Sequence, residues 1–510
     1  MTVGRRFLFS FGTNLARAAL SLLVGVIVAR GLGPSDYGNL AYLLGSFWAL
    51  RALLDLGASS AFYTFISQQH RARAYYIVYF AWLGIQFSVS ALVVGLLLPD
   101  ALFDRFWLGQ DRPLVILGLI ATFLQNQVWQ TVVQMHESLR QTVRVQTAAF
   151  IVIAAHLLLM ALFFAFDLLS VSRVLWALVI EYAVAACALS IALRRSLRNL
   201  APPATAAFSE TIDAFVAYCR PMIVVAVFSF AYEMTDRWLL QRFGGASQQG
   251  FYQVAMQLST VSLLATTSIL HVLWKEVAEA NAQGLNARVI ALHRRATRIL
   301  MLAASFISCF LAAWSEELVS LLLGEAYRAA WPALFVMLFY PVHQAMGQMN
   351  GTLFMATGRT SPYMRITVAG LLVSMPISAL MLLPPDGSML QGFGLGALGL
   401  AIKTAGLNAL FTNFQAWMIA RQYGERHTWI HQFTAILILL AIGYASRELA
   451  TLIFVGDDYI TVAASLLAGG IFYISASLAA MAHFPDAFGL SRSDVDMFIC
   501  RIQQAIRSGQ

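Results

Sequence analysis

The chain has 510 residues, of which 59% are hydrophobic and 11% are charged, and its mean hydropathy is +0.71. Soluble globular chains carry about 25% charged residues, so this composition excludes a water-soluble enzyme, a nucleic-acid-binding protein and a disordered chain. The net charge of +8 does not indicate a nucleic-acid ligand, because the arginines lie singly or in pairs between apolar stretches, as they do where basic residues orient membrane helices. The sequence therefore predicts an all-α polytopic membrane protein.

Apolar stretches long enough to cross a membrane as helices, about 20 residues each, divide the chain into fourteen predicted spans. In chain order these are 7–30, 38–66, 74–98, 113–136, 143–166, 171–193, 213–240, 248–274, 290–313, 330–356, 362–384, 393–421, 430–453 and 458–482. A polar, proline-containing linker at 198–209 separates the first six from the others.

Four segments follow from this division. We expect one six-helix lobe at 1–198, a second six-helix lobe at 210–421 and two additional transmembrane helices at 430–482. The cytoplasmic tail at 486–510 is either an amphipathic helix on the membrane surface or a frayed end.

The orientation of the spans follows from their basic residues. Lys and Arg number 21 in one set of alternating loops and 8 in the opposite set. Because the more basic loops stay in the cytoplasm, we expect both termini to be cytoplasmic.

The chain also contains a short internal repeat. The turn at 30–38 and the turn at 242–250 share arginine, glycine, serine and glycine at a constant offset of 212 residues. Six helices per unit is an even number, so both units enter the membrane with the same polarity. This predicts two pseudo-symmetric lobes related by an axis along the membrane normal, with a binding site between them.

Charged residues inside the predicted spans are candidates for a polar pathway, because such residues usually face a bundle interior or a water-filled cavity. Arg17 lies on one face of the first helix with Asn14, and either faces a cavity or extends to the headgroups. Arg51 and Asp55, four residues apart, either neutralise each other or act in the cavity. Lys403 lies on a glycine-rich helix face and needs an anion or water.

Acidic and amide side chains within the spans have two possible uses. Glu181 and Glu233, like Asp55, either bind a coupling cation or pair with arginine. Amides lie on one face of the fourth helix and on one face of the tenth, and they either contact sugar hydroxyls or bond to neighbouring helices; they are Asn126, Gln130, Gln134, Gln344 and Gln348.

Several motifs resemble the polysaccharide transporter family, which includes the O-antigen and exopolysaccharide flippases. They are Ala29-Arg-Gly-Leu-Gly-Pro-Ser-Asp-Tyr-Gly38, Asp55-Leu-Gly57, Asp236-Arg237 ahead of Gly250-Phe-Tyr252, and Ala356-Thr-Gly-Arg359. The family belongs to a superfamily that also contains multidrug extruders and peptidoglycan-precursor flippases. With the fourteen predicted spans, the resemblance covers nearly the whole chain.

The resemblance implies a non-enzymatic flippase that exports undecaprenyl-diphosphate-linked oligosaccharide across the bacterial inner membrane by alternating access. Arg17, Arg51 and Lys403 would then bind the diphosphate, while Asn14 and the five amides would contact sugar. The first outer turn would act as a gate or fixed turn through Arg30, Gly33, Asp36 and Gly38.

The implied partners are the lipid-linked oligosaccharide, membrane lipids and a polysaccharide polymerase. No metal or cofactor is expected beyond a coupling ion, H⁺ or Na⁺. The alternatives are a peptidoglycan-precursor flippase and an ion-coupled small-molecule exporter of the same superfamily. A glycosyl polymerase or ligase is disfavoured, because the outer loops are too short for an acceptor-binding domain.

Overall fold

The computed structural model describes residues 3–68, 71–197, 207–220, 222–263, 276–277, 279–386, 391–425, 429–456, 458–489 and 492, without the side chains of 3–11, 195–197 and 360. Most of the predicted linker at 198–209 and the predicted amphipathic tail from 493 onward lie outside the described residues. Within those limits, every regular element is helical.

The chain folds into two compact units. The first comprises residues 1–253 and 371–396. Its helices are α1 (Val3–Asp55), α2 (Ala58–Gln68), α3 (Arg73–Leu92), α4 (Asp100–Trp107), α5 (Arg112–Phe123), α6 (Trp129–Ser138), α7 (Thr142–Ala165), α8 (Val171–Leu197), α9 (Phe208–Cys219) and α10 (Met222–Leu239). Single π-helical turns at Val93–Leu97, Leu124–Val128 and Leu240–Gly244 follow α3, α5 and α10.

The second unit comprises residues 254–370 and 397–510. The remaining helices are α11 (Ala246–Ser259), α12 (Asn286–Ala313), α13 (Ser315–Leu323), α14 (Trp331–Met337), α15 (Tyr340–Ala356), α16 (Thr360–Leu382), α17 (Gly396–Gln422), α18 (Ile430–Ile453) and α19 (Tyr459–His483). Helices α11, α16 and α17 each contribute residues to both units. The predicted lobes at 1–198 and 210–421 stay predictions.

The prediction of an all-α, multi-span membrane protein is confirmed. Among the described residues, eight helices are long and apolar enough to span a membrane, or nine if one bent pair of helices counts as a single span. Large apolar side chains point outward, with Leu96 78% exposed and Val455 85% exposed, as a hydrocarbon environment requires. The number fourteen stays a prediction.

Each unit has an aromatic or aliphatic core of its own. In the first unit the Phe62 ring stacks on the Tyr79 ring, with centroids 4.0 Å apart, in a cluster that includes Phe215. In the second unit Met349 and Leu353 belong to the core cluster. These clusters hold the helices in place, so that polar side chains elsewhere are kept at fixed positions.

The first turn of the predicted repeat is a sharp break inside α1. Gly33 adopts φ 73° and ψ 170°, and Gly245, at the offset of 212 residues, adopts φ 85° and ψ 172°. L-residues with a side chain rarely adopt this positive φ, which explains glycine at both positions. Arg30 and Asp36 flank the first turn and are exposed.

The two turns pack against each other reciprocally. A Cβ atom on Gly38 would overlap the backbone oxygen of Ala246, and a Cβ on Gly250 would overlap the backbone oxygen of Pro34. The second contact is therefore the first with the two turns exchanged, because each residue pairs with the counterpart of its partner. Such exchange is the property of a two-fold contact, and it explains why both repeats end in glycine.

Candidate substrate-binding site

Three polar cavities lie in the first unit. The first cavity, about 290 Å³, is lined by residues that include Arg17, Trp129, Gln130, Gln134, Glu137 and Gln146. The second, about 400 Å³, is lined by residues that include Asn14, Arg17, Ser21, Gln125, Trp129 and Tyr182. The third, about 430 Å³, is lined by residues that include Tyr37, Trp48, Gln125, Asn126, Arg237 and Gln253. Arg17 is shared by the first two, and Gln125 by the last two.

Arg17 extends from α1 into the first two cavities. The sequence predicted a polar helix face containing this residue, and Asn14, Arg17 and Ser21 do line the second cavity together. The Arg17 Nη1 atom donates a hydrogen bond to Gln146 Oε1 on α7 at 3.4 Å. This partner is a neutral amide, so the guanidinium keeps its charge available in the cavity wall.

Arg51 contacts an aromatic ring. Its Cζ atom lies 5.2 Å from the centroid of the Trp48 ring, a cation–π geometry, and the residue also borders a space of about 20 Å³. Of the two interpretations of Arg51 and Asp55, mutual pairing is not seen among the salt bridges of the described residues.

Asp55 lies at the break between α1 and α2. Its carboxylate accepts hydrogen bonds from the Ser59 backbone N–H at 3.2 Å and from Ser59 Oγ at 2.5 Å. It therefore satisfies a free amide in the first turn of α2, as capping carboxylates do. The break is formed by Leu56 and Gly57, which both adopt positive φ.

The three predicted amides of the fourth span separate into two cavities. Asn126 lies in the π-helical turn Leu124–Val128 and borders the third cavity, whereas Gln130 and Gln134 lie on α6 and border the first. A π turn inserts one residue and rotates the following side chains by about 100°. The same turn directs Gln125, which was not predicted, toward Tyr182, whose hydroxyl accepts its hydrogen bond at 3.2 Å.

The predicted polar residues of the second unit have different surroundings. Lys403 is 3% exposed and has a polar or electrostatic partner, and Gln344 and Gln348 on α15 are half-buried. Asn350, on the same helix and not predicted, is fully buried. These residues do not belong to the linings of the three cavities described above.

Asn350 joins three helices. Its Oδ1 atom lies 3.0 Å from His293 Nε2 on α12, and its Nδ2 donates to the Thr412 carbonyl on α17 at 2.9 Å. Buried amides that bond between helices are a known feature of membrane bundles. A sequence signal for this role was absent, because Asn350 shares no repeating polar spacing with its neighbours.

Both acids predicted on the sixth and seventh spans have basic neighbours. Glu181 Oε2 lies 2.7 Å from His156 Nδ1 on α7, while Glu181 Oε1 is buried without a hydrogen-bond partner among the described residues. Glu233 Oε2 lies 4.0 Å from Arg237 Nη2, one helical turn away. The sequence gave no indication of His156, since a single histidine in an apolar span has no characteristic spacing.

Solved structures with the same fold are transporters of the MOP superfamily. The lipid II flippase MurJ in an inward closed conformation aligns with a TM-score of 0.66 and 12% identity, covering 93% of this chain and 98% of MurJ. An inward-facing multidrug resistance MATE family transporter aligns with a TM-score of 0.59 and 14% identity, over 82% and 98% of the two chains. A MOP superfamily transporter from Pyrococcus furiosus aligns at 0.54 and 13%, over 82% and 95%.

Sequence comparison adds the family. No curated protein sequence matches this chain, but the family model described as "Polysaccharide biosynthesis protein" matches residues 3–274. The resemblance noted from the motifs is therefore confirmed, and family and fold together mark a membrane transporter rather than an enzyme. The chain belongs to the polysaccharide biosynthesis protein family.

Proposed function

We propose that this protein is a flippase that moves undecaprenyl-diphosphate-linked oligosaccharide across the bacterial inner membrane, for assembly of O-antigen or exopolysaccharide. It works by alternating access between its two lobes, with both termini in the cytoplasm, and is coupled to H⁺ or Na⁺. The product passes to a polysaccharide polymerase. Membership of the polysaccharide biosynthesis family supports the class of substrate.

The observation that carries the proposal is the position of Arg17. A diphosphate must cross about 30 Å of hydrocarbon, so it needs cationic groups along a polar route. Arg17 borders two adjoining polar cavities and is hydrogen-bonded to a neutral amide. A planar guanidinium binds phosphate oxygens in a bidentate manner, so Arg17 is the residue best suited to hold the diphosphate.

Two alternatives keep specific support. A peptidoglycan-precursor flippase would also carry a diphosphate-linked saccharide, and the fold is similar to that of a lipid II flippase. An ion-coupled small-molecule exporter would share the fold of the multidrug transporter. Cationic drugs, however, favour acidic cavity walls, and the second cavity, with Arg17, includes no acidic residue among its lining residues. This favours an anionic headgroup.

Translocation in liposomes tests the proposal. The purified protein is reconstituted with a fluorescent undecaprenyl-diphosphate-linked disaccharide, and the fraction reaching the opposite leaflet is measured over time. Arg17→Gln should slow translocation at least tenfold, about 1.4 kcal/mol of lost stabilisation. Arg17→Lys should be intermediate, because lysine keeps the charge and loses the bidentate geometry.

Arg71→Gln is the matched control. Arg71 donates to the Phe65 carbonyl and to Gln68, and it borders none of the three cavities. Its removal should leave the rate within twofold. Equal rates in wild type and Arg17→Gln would contradict the diphosphate mechanism, and efflux of a lipophilic cation without translocation of the lipid would favour the exporter.

A further inference from the structure

The third cavity carries an aromatic ring and a cation that the diphosphate mechanism does not use. Trp48 is 45% exposed, and Arg237 enters the cavity from α10. Amides of Gln125, Asn126 and Gln253 complete the polar wall. At about 430 Å³, the cavity lies within the range of about 300–1,000 Å³ that small-molecule sites occupy.

Gly45 allows the Arg237 guanidinium to reach this cavity. A Cβ atom on Gly45 would lie 2.6 Å from Arg237 Cζ and 2.9 Å from its Nε. These distances are below any normal contact between heavy atoms, so the guanidinium fits against α1 only because residue 45 has no side chain. Glu233 lies 4.0 Å away, beyond hydrogen-bond distance, which leaves the Arg237 N–H groups free of that carboxylate.

Trp48 is held from the other side of the same helix turn. The Arg51 guanidinium lies 5.2 Å from the Trp48 ring centroid, and a cation–π contact of this kind limits the ring orientation. An indole fixed beside N–H donors and amides presents an apolar face next to polar groups. A pyranose ring has the complementary surface, with C–H groups on its faces and hydroxyls at its edge.

We propose that the third cavity is a saccharide subsite, in which one pyranose ring packs on Trp48 and receives hydrogen bonds from Arg237. Gly45 is its positioning residue, because it determines where the guanidinium lies. This inference rests on the proposed function and divides the substrate between two places: the diphosphate at Arg17 and a sugar beside Arg237. Gln125 borders both the second and the third cavity, which makes the two places adjacent.

Binding measurements with two lipids test the subsite. Full-length protein in detergent is titrated with undecaprenyl diphosphate and with undecaprenyl-diphosphate-linked N-acetylglucosamine. Wild type should bind the sugar-bearing lipid about tenfold more tightly. Arg237→Gln and Trp48→Leu should reduce this preference to twofold or less and leave affinity for undecaprenyl diphosphate unchanged, whereas Arg17→Gln should weaken both lipids.

Gly45→Ala separates positioning from direct contact. It should remove the preference as Arg237→Gln does, although it alters no polar group. Gly84→Ala on α3 is the control, since a Cβ there meets no atom within 4 Å, and it should behave as wild type. Thermal unfolding midpoints establish folding; if Gly45→Ala does not fold, the Arg237 and Trp48 variants decide.

The contradicting results differ for the two proposals. A wild type that binds neither lipid overturns the proposed flippase function. A wild type that binds both lipids equally overturns the saccharide subsite and leaves the flippase function standing. Equal loss of both lipids in Arg237→Gln would assign the guanidinium to the diphosphate and would likewise overturn the subsite.

Discussion

Polar side chains inside the two units serve different purposes. In the first unit, Arg17 and Gln125 border cavities with room for a ligand. In the second unit, Asn350 is fully buried and bonds to His293 and Thr412. Both kinds of residue look alike in the sequence, as isolated polar positions in apolar helices. What separates them is the neighbour that each side chain meets.

Substitutions should affect these two kinds of residue differently. Where a polar group bonds to another helix, its removal leaves a partner unsatisfied in a dry interior and lowers the free energy of unfolding. Where it borders a cavity, its removal leaves nothing unsatisfied and affects the ligand instead. Stability and transport should therefore respond in opposite proportions in the two sets of residues.

The largest effect on stability is expected from a pair in the first unit that resembles those of the second. Glu181→Leu would leave the His156 imidazole buried without its carboxylate, which should cost about 3 kcal/mol. Glu181→Gln keeps a hydrogen-bond acceptor and should cost less than about 1 kcal/mol. Denaturant unfolding in detergent measures both. Equal losses in the two variants would show that the pair is not the cause.

A steric change in the second unit should come next. A Cβ on Gly347 would lie 2.7 Å from the Thr412 Cγ2 methyl, so Gly347→Ala should cost about 2 kcal/mol of unfolding free energy through overpacking. Thr412→Ser removes that methyl. The double variant should recover most of the loss in a double-mutant cycle, and simple additivity would contradict the contact.

Removal of the buried amide should cost somewhat less. Asn350→Leu breaks the bonds to α12 and α17, and we expect a loss of about 1–1.5 kcal/mol, the upper range for polar contacts between membrane helices. Gln344→Leu on the same helix is the control, and it should change the unfolding midpoint little. A larger loss at Gln344 than at Asn350 would reverse the interpretation.

The smallest effect on stability is expected in the second cavity. Asn14 is exposed on the cavity wall, so Asn14→Ala should change the unfolding free energy by less than about 0.5 kcal/mol. Its translocation rate in liposomes should nevertheless fall about threefold, if the amide contacts the sugar. A stability loss with an unchanged rate would place Asn14 with the residues of the second unit.

Several features of the site were predictable, and the exceptions have identifiable causes. The polar face of α1 was predicted, because 3.6-residue periodicity holds through a regular helix. The grouping of Asn126 with Gln130 failed at a π-helical turn, which changes the periodicity locally. The contacts of Arg237 with Gly45, and of Glu181 with His156, join residues far apart in sequence and have no pattern within either helix.

The sequence by itself determined that this is a helical membrane protein of a known family, because the length and hydropathy of its helices reflect the solvent that surrounds them. It also determined the two related turns, since only glycine adopts their positive φ without strain. Only the tertiary structure decided which charges border a cavity. A side chain such as Arg17 or Lys403 is exposed or buried according to the helices that pack around it, and neither residue's own helix specifies those neighbours.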